Sequence, residues 1–379
     1  MTLKAKRELL KVLRPRYLKA SKAEKGRILD EFVAATGYHR KYAIHLLKNG
    51  PPKRRKHKRR NQTIYTPDVV AALVQVWQAS GYLCSKRLQP FMSEFLDVLE
   101  RHNELVFAPH IKTLLCQMSP ATIDRKLQRA RARRGQQRGL STTKPGLLLK
   151  KAIPIRTFIA WNEQQPGFVE VDLVAHCGDT TAGVYLNTLC LVDIYTHWCG
   201  LAALLNKGQT VTFNALKAIR QRLPFPLLGL DSDNGSEFIN DQLFRYCLDE
   251  HITFTRSRPY YKNDQAHIEQ KNWSVVRQTV GYGRYESPEA LNLLTAIYTD
   301  LELHVNFFRP TLKLAEKQRE GSKVRKRYEL AQTPFRRVIA SPLVTDEDKA
   351  QLHQLYLSLN PLALQRRIEA NLHLLWNLK

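Results

Sequence analysis

Apolar positions in the second half of the chain follow two different periods, which predict alternating strands and helices. Runs in which apolar residues recur at every second position are typical of β-strands, and recurrence at every third or fourth position is typical of amphipathic helices. The predicted strands are Phe168–His176, Tyr185–Thr196, Trp198–Leu205, Phe225–Leu230 and His251–Arg256, and the predicted helices are Val211–Arg222, Ser236–Glu250, Gln265–Val280 and Ser287–Phe307. This order of elements predicts an α/β layer.

The first fifty residues show helical periodicity. Apolar residues fall at helical spacing in Lys22–Ala35, and His39–Lys48 repeats the pattern after the turn signal Thr36-Gly-Tyr. A helix, a glycine-containing turn and a basic second helix together predict a helix-turn-helix DNA-binding unit over residues 1–50. An ordinary helical hairpin is the alternative.

A second helical DNA-binding unit is predicted over residues 67–135. Pro67–Gln78 and Ser85–Arg101 are amphipathic, and Ser119 followed by proline begins a third, basic helix that extends to Arg134. A helix that merely exposes its charges to solvent is the alternative for this third segment. Its candidate DNA contacts are Arg125, Lys126 and Arg129.

Composition divides the rest of the chain. Residues 136–154 are predicted to be a linker that leads into a core at residues 155–310. Residues 311–379 are predicted to form a small, mostly α-helical appendage, because Val344–Leu378 is amphipathic. Lys313–Tyr328 is strongly basic, so this appendage is expected either to contact DNA or to mediate oligomerisation.

The charge of the chain is strongly positive and unevenly distributed. The formal net charge is +26, of which residues 1–150, with 33 Lys/Arg and 10 Asp/Glu, carry +23. Such a surplus predicts a polyanionic partner, and double-stranded DNA is the obvious one. Residues 51–66 are interpreted as a basic linker arm that lies in a DNA groove, with a solvated tether as the alternative. Its cations are Lys53, Arg54, Arg55, Lys56, Lys58, Arg59 and Arg60.

Cysteine usage and hydropathy exclude several classes of protein. The six cysteines form no Cys-x-x-Cys pair, which argues against a zinc finger or a disulfide scaffold and suits a reducing cytoplasm. No apolar run of roughly 18 residues predicts a membrane span, and the N-terminus lacks the apolar region of a signal peptide. We therefore expect a cytoplasmic protein that makes no membrane contact.

Three carboxylates on or directly after predicted elements are the candidate catalytic residues. Asp172 lies on the first strand, Asp233 follows the fourth strand, and Glu269 lies on a helix after 35 intervening residues. Asp231 competes with Asp233, because period-two alternation places both on one face. Carboxylate oxygens are the ligands that Mg²⁺ prefers. Two such ions about 3.5–4 Å apart can activate a nucleophile and stabilise the leaving oxygen of a phosphodiester.

In these residues the chain resembles the DDE integrase and transposase family, over roughly residues 155–310. The resemblance is carried by Asp172, by the block Asp233-Asn-Gly-Ser-Glu-Phe and by Glu269 with its spacing. It implies a multidomain chain with an N-terminal all-α helix-turn-helix region, a central α/β ribonuclease H-like core built on a mixed five-stranded sheet, and the appendage. It also implies that Asp233 is catalytic, because the family's aspartate directly precedes Asn-Gly.

Outside the core, the chain resembles bacterial insertion-sequence transposases less sharply, and the resemblance implies a function. The protein would bind the terminal inverted repeats of its own mobile element, cleave to free 3′ hydroxyls and join them to target DNA by transesterification. Asp172, Asp233 and Glu269 would hold two Mg²⁺ or Mn²⁺ ions. A homodimer or tetramer would assemble on the DNA, at the nucleoid of a bacterial cytoplasm.

Polar residues near Glu269 are predicted to contact phosphate, namely Lys262, Asn263, Lys271 and Arg277. Many family members carry a Lys or Arg seven residues after the glutamate, where this chain has Val276. Two other functions stay open. A hydrolytic nuclease of the same fold would cut DNA without joining it. A non-catalytic DNA-binding regulator derived from a transposase would not cut at all, although the intact carboxylates argue against it.

Overall fold

A computed structural model describes residues 1–51, 64–134, 165–233, 235–257 and 265–378. The chain forms two units, Met1–Ile64 and Tyr65–Lys379, each built on hydrophobic clusters of its own. None of the helices within the described ranges is both long and apolar enough to cross a membrane. Most of the predicted basic arm, the predicted linker, Lys262 and Asn263 lie outside the described residues.

Three helices make up the part of the first unit that the structure describes: α1 (Leu3–Lys19), α2 (Lys22–Thr36) and α3 (Arg40–Asn49). At the start of α2, the Ser21 hydroxyl accepts a hydrogen bond from the Glu24 N–H, and the Glu24 carboxylate accepts one from the Ser21 N–H. The helix ends at Gly37, whose φ of +66° favours glycine. Phe32 and Leu47 are fully buried between the helices. Both helices predicted in this segment are confirmed, and a third precedes them.

A mixed five-stranded sheet lies at the centre of the second unit. Its strands are β1 (Phe168–Ala175), β2 (Asn187–Asp193), β3 (Cys199–Leu204), β4 (Gly229–Ser232) and β5 (Thr253–Arg256). Their order across the sheet is β3-β2-β1-β4-β5. β2 is antiparallel to β1 and β3, whereas β4 is parallel to β1 and β5. The predicted mixed sheet of five strands is confirmed.

The fourth strand begins later in the chain than predicted. The apolar run predicted a strand at Phe225–Leu230, whereas β4 spans Gly229–Ser232. Pro224 and Pro226 have no amide hydrogen and cannot donate to a neighbouring strand. The hydrogen-bonded part of the segment therefore lies closer to Asp233 than predicted, and the strand contains Asp231.

Helices cover both faces of the sheet. One face carries α8 (Gln209–Arg220) and α9 (Asp241–Asp249), and the other carries α10 (Ala266–Lys271), its π-helical continuation Asn272–Arg277, the last turn α11 (Gln278–Val280) and α12 (Pro288–Phe308). Val171 packs on the first face and Val174 on the second. Because strand residues alternate between faces, Asp172 lies on the side of α10.

Helices that flank the sheet region in sequence share one hydrophobic core with it. They are α4 (Pro67–Ala79), α5 (Ser85–Arg101), α6 (Pro109–Gln117), α7 (Pro120–Arg134), α13 (Pro334–Ala340), α14 (Asp346–Ser358) and α15 (Pro361–Trp376). Phe307, at the end of α12, is fully buried, and its ring lies 5.7 Å from Trp198, 5.0 Å from Phe335 and 6.4 Å from Tyr356 between centroids. The two flanking segments therefore pack against the sheet region through shared aromatic residues.

A two-stranded antiparallel ribbon precedes the C-terminal helices. Its strands are β6 (Leu314–Glu320) and β7 (Lys323–Tyr328), joined by a two-residue turn in which Gly321 has a φ of +59°. The sequence analysis expected a mostly helical appendage and did not predict these strands. Charged and polar residues occupy most positions of the ribbon, so the segment shows no apolar period that would indicate a strand.

Candidate active site

Four acidic residues lie where β1 and β4 run parallel. The register pairs Glu170 with Asp231 and ends one pair later at Ser232. Asp172 and Asp233 come next in the two segments and are therefore level with each other. The site is built at the end of β4, beside the middle of β1.

Asp172 experiences the charges of both other predicted catalytic residues. Burial, and after it the negative charges of Asp233 and Glu269, raise the pKa of Asp172 to about 6. Hydrogen bonds of 2.7 Å from the Leu173 N–H and from the Asn272 side-chain amide favour its charged form. Asp233 and Glu269 thus lie within electrostatic reach of Asp172.

Asp233 lies in a tight turn directly after β4. Its Oδ1 accepts a hydrogen bond of 2.9 Å from the Gly235 N–H, the pattern by which an aspartate stabilises a turn in its own backbone. A Cβ at Gly235 would lie 2.6 Å from the carboxylate carbon of Glu237, so a larger residue would displace this partly exposed side chain. This turn holds the half-buried Asp233 at the C-terminal end of β4.

Glu170 connects β1 to the helix that bears Glu269. Its Oε2 accepts a hydrogen bond of 2.8 Å from the Ile268 N–H in the first turn of α10. Glu170 is 3% exposed, and burial, followed by the charges of Asp231 and Glu269, raises its pKa to about 8 against the effect of its hydrogen bonds. The start of α10 is fixed on β1 by this buried acid.

Asp231 makes a similar connection from β4. Its Oδ2 accepts a hydrogen bond of 3.3 Å from the Gln265 side chain, which precedes α10, and its Oδ1 accepts one of 2.7 Å from the Thr255 hydroxyl on β5. Asp231 is 5% exposed. Both of its carboxylate oxygens are therefore engaged inside the protein, whereas Asp233 is half-buried in the turn that follows.

The π-helical segment after α10 presents Asn272 to Asp172. The Asn272 amide donates to Asp172 Oδ2, and Asn272 follows Glu269 by three residues, a spacing that places both on neighbouring parts of one helical face. Short π-helical segments are frequent at functional sites. The sequence analysis did not identify Asn272. The available signal was its i+3 spacing from Glu269.

Two predicted phosphate contacts lie inside the second unit. Lys271 is 7% exposed, and burial lowers its pKa, while the neighbouring Cys199 and Cys190 act in the opposite sense. Arg277 donates to the backbone carbonyl of Ala175 at 2.8 Å. The buried Lys271 would have to leave its position to touch DNA, whereas Arg277 is half-buried and its contact with DNA stays a prediction. The sequence analysis predicted a phosphate contact for Lys271 because its position in a helix does not by itself reveal which face of the helix is buried.

The predicted DNA contacts on α7 lie on its outer side. Ile123 and Leu127 are fully buried and anchor the helix, whereas Arg125 and Arg129 are exposed. Lys126 is half-buried and donates a hydrogen bond to a backbone carbonyl. Arg125 and Arg129 are therefore accessible to a partner, and contact with DNA stays a prediction.

The carboxylate set has the chemistry of a site for hard divalent cations. Within the ranges that the structure describes, no three or more His, Cys, Asp or Glu side chains are arranged to hold a metal ion. Carboxylate oxygens nevertheless are the ligands that Mg²⁺ and Mn²⁺ prefer. Burial is the main cause of the raised pKa of Asp172, and a bound cation would relieve the smaller contribution from the negative charges of Asp233 and Glu269. The fit to such an ion therefore rests on the chemistry of the carboxylate donors.

Comparison with solved structures finds retroviral integrases, at low similarity. The catalytic core domain of HTLV-2 integrase, solved in complex with magnesium, is 14% identical with a TM-score of 0.29, and the match covers 38% of this chain and 90% of that chain. The catalytic core domain of BIV integrase is 14% identical with a TM-score of 0.29, over 45% of this chain and 91% of that chain. A chain of a simian T-cell lymphotropic virus intasome is 14% identical with a TM-score of 0.28, over 31% of this chain and 41% of that chain.

Comparison with curated proteins gives one long match, and no family model matches. The relative is described as "Uncharacterized protein y4rM" of Sinorhizobium fredii (strain NBRC 101917 / NGR234). It is 42% identical over 337 residues, which cover 87% of this chain and 94% of the relative. The chain therefore belongs to the protein family of Sinorhizobium fredii y4rM.

Proposed function

We propose that this protein is a DDE-type DNA transposase, which cleaves the ends of a mobile element and joins them to target DNA. The observation that carries the proposal is that Asp172 and Asp233 lie level, one step beyond the parallel register of β1 and β4, and that Asp172 accepts a hydrogen bond from Asn272, three residues after Glu269. The +23 charge of residues 1–150 supports a nucleic acid substrate.

The three carboxylates would hold two Mg²⁺ or Mn²⁺ ions. When bound, such ions activate the attacking hydroxyl and stabilise the leaving oxygen of a phosphodiester. Asn272 would orient Asp172 through the hydrogen bond to Oδ2. Glu170 and Asp231 would hold α10, and with it Glu269, against the sheet. Catalysis of this kind depends on groups that are held in position before the substrate binds.

Asp233 is the second catalytic aspartate in this proposal, and Asp231 is a positioning residue. Both oxygens of Asp231 accept hydrogen bonds from side chains that belong to the fold. Asp233 is more exposed, and its known hydrogen bond is to the turn that follows it. The half-buried carboxylate is thus better placed to meet a metal ion and a phosphate.

Double-stranded DNA is the proposed substrate, both as element end and as target. Joining two ends to one target requires two active sites held together, so a homodimer or tetramer on DNA is part of the proposal. A hydrolytic nuclease could use the same residues, but it would release shortened strands without new joints. The reaction products on a pre-cut end therefore test the proposal against this alternative.

Asn272→Ala is expected to slow Mg²⁺-dependent cleavage by about 10- to 100-fold, the usual effect of losing a group that orients a metal ligand. Initial rates measured across a Mg²⁺ titration should show a higher requirement for the ion, with DNA binding unchanged. Gln278→Ala is a matched control on the same helical segment, because Gln278 is exposed. An Asn272→Ala enzyme with the wild-type rate and the wild-type Mg²⁺ dependence would contradict the role given to Asn272.

Removal of residues 1–64 is expected to weaken DNA binding without unfolding the remainder. This segment holds 20 Lys/Arg and 4 Asp/Glu and forms a unit of its own. Fluorescence anisotropy on a duplex should show at least about a tenfold loss of affinity at low salt and a shallower salt dependence, because fewer counterions are released. The 65–379 fragment should melt cooperatively. Wild-type affinity and salt dependence in this fragment would show that the first unit does not bind DNA.

A further inference from the structure

The ribbon formed by β6 and β7 has one face without acidic residues among its described side chains. The register pairs Arg319 with Val324. Because side chains alternate along a strand, Lys326 and Tyr328 lie on the same face as this pair. Arg319 also donates to the carbonyl of Gly321 at 3.3 Å, within the turn. This face, defined by Arg319, Val324, Lys326 and Tyr328, is called the basic face.

The opposite face carries two acids beside its cations, Glu316 and Glu320. Glu316 lies directly across from Arg327, and Gln318 lies across from Arg325. The Gln318 amide donates to Glu316 Oε1 at 2.7 Å, which confirms that these two side chains share a face. Opposite charges placed across a ribbon attract each other. The cations of this face are therefore less available to an external anion than Arg319 and Lys326.

The ribbon stands away from the rest of the second unit. Every described side chain from residue 314 to residue 330 is exposed, including the apolar Val324 at 45% and Tyr328 at 48%. The ribbon is anchored at its base, where Thr311 and Gln332 exchange backbone hydrogen bonds of 2.8 and 3.3 Å. Both faces are accordingly accessible along their length.

The base of the ribbon lies beside the helix of the candidate active site. The Nδ1 atom of His197 is 3.0 Å from the Thr311 hydroxyl, and the His197 ring is 5.3 Å from the ring of His267 between centroids. His267 lies on α10, two residues before Glu269. His197 therefore bridges the ribbon's base and the helix that carries a candidate catalytic carboxylate.

We propose that the basic face of this ribbon binds the phosphate backbone of duplex DNA next to the active site, an inference that rests on the proposed function. Duplex DNA supplies the charge that complements a cationic surface without acids. A two-stranded ribbon also fits the major groove, which is about 12 Å wide. A second copy of the ribbon is a poorer partner, because facing basic surfaces would bring Arg319 and Lys326 against like charges.

The test compares two double variants of the full-length chain that each remove two positive charges. Arg319→Gln/Lys326→Gln alters the basic face, and Arg325→Gln/Arg327→Gln alters the other face. Affinity for a random-sequence duplex is measured without metal over a range of salt concentrations. The basic-face variant should lower the slope of log affinity against log salt by about 1 to 2, since each neutralised phosphate contributes about 0.9. The opposite-face variant should lower the slope by less than half of the decrease seen in the basic-face variant.

The outcomes separate this proposal from others. An equal decrease of the slope in the two variants would overturn the assignment to one face. Unchanged slopes in both variants would exclude a DNA contact by the ribbon. A change of oligomeric state in sedimentation, with the slope unchanged, would make the ribbon a self-association surface and overturn the proposal. The binding assay needs no metal. If the two variants differ in slope as expected, but the wild-type protein neither cleaves nor joins DNA, the transposase function is wrong and the DNA contact of the ribbon still holds. Unchanged melting temperatures in both variants confirm that the exposed substitutions leave the fold intact.

Discussion

Asp172→Asn, Asp233→Asn and Glu269→Gln are each expected to reduce metal-dependent DNA cleavage by roughly 10²–10³-fold or more, the effect of removing one preorganised electrostatic group. Each change removes a negative charge and a metal ligand but keeps the shape of the side chain. Binding to DNA without metal should persist, because phosphate contacts come from cations elsewhere in the chain. Cleavage of an end-labelled duplex in Mg²⁺, beside a binding assay in chelator, measures both properties.

Asp231→Asn is the matched control for this series, because it alters a carboxylate two residues from Asp233. One oxygen still accepts a hydrogen bond, from Thr255 or from Gln265, so partial placement of α10 survives. Measurable cleavage should remain, together with some loss of thermal stability. An inactive Asp231→Asn beside an active Asp233→Asn would show that the catalytic aspartate is Asp231.

Phe307→Ala is expected to destabilise the second unit by about 3–5 kcal/mol, the usual cost of truncating a buried aromatic residue. The ring is fully buried where the end of α12 meets Trp198, Phe335 and Tyr356, so its removal leaves a cavity between three parts of the chain. Urea unfolding of the 65–379 fragment should shift as a single transition, since the shared core couples the flanking helices to the sheet.

Leu330→Ala is the control for this stability prediction. Leu330 is 74% exposed, so its truncation should change the free energy of unfolding by less than about 0.5 kcal/mol. A Phe307→Ala fragment that unfolds in two separate transitions would show that the helical segments and the sheet region are independent domains. A shift no larger than that of Leu330→Ala would show that the aromatic cluster does not couple them.

Local pattern predicts much of this fold. β1 was found because apolar and polar residues alternate along its sequence, β2 because its sequence is largely apolar, and every residue of β2 is buried. Asp172 and Asp233 were selected because one lies on an alternating strand pattern and the other directly precedes Asn-Gly, and their catalytic role stays a prediction. The error at β4 has a local cause, since the apolar character of Phe225–Leu230 outweighed the two prolines that exclude it from the ladder.

Other features depend on contacts between distant segments and could not be predicted from local pattern. Burial of Lys271 is decided by how α10 packs on β2 and β3, which no periodicity in a short helix reports. The bond between Asn272 and Asp172 joins residues 100 positions apart. Asp231 was recognised only as a competitor of Asp233, and the connections of Asp231 and Glu170 to the start of α10 depend on the parallel register of β1 and β4. The ribbon was missed because charged and polar residues occupy most of its positions and leave no regular alternation of apolar residues.

Strand transfer from a pre-cut end tests the central claim most directly. A labelled duplex taken from the DNA that flanks the gene, with its terminal 3′ hydroxyl exposed, is incubated with supercoiled plasmid, Mg²⁺ and either wild-type protein or Asp172→Asn. The transposase account predicts labelled duplex joined covalently to plasmid with the wild type and none with Asp172→Asn. Shortened fragments without joined product from the wild type, or equal joining by both proteins, would contradict it.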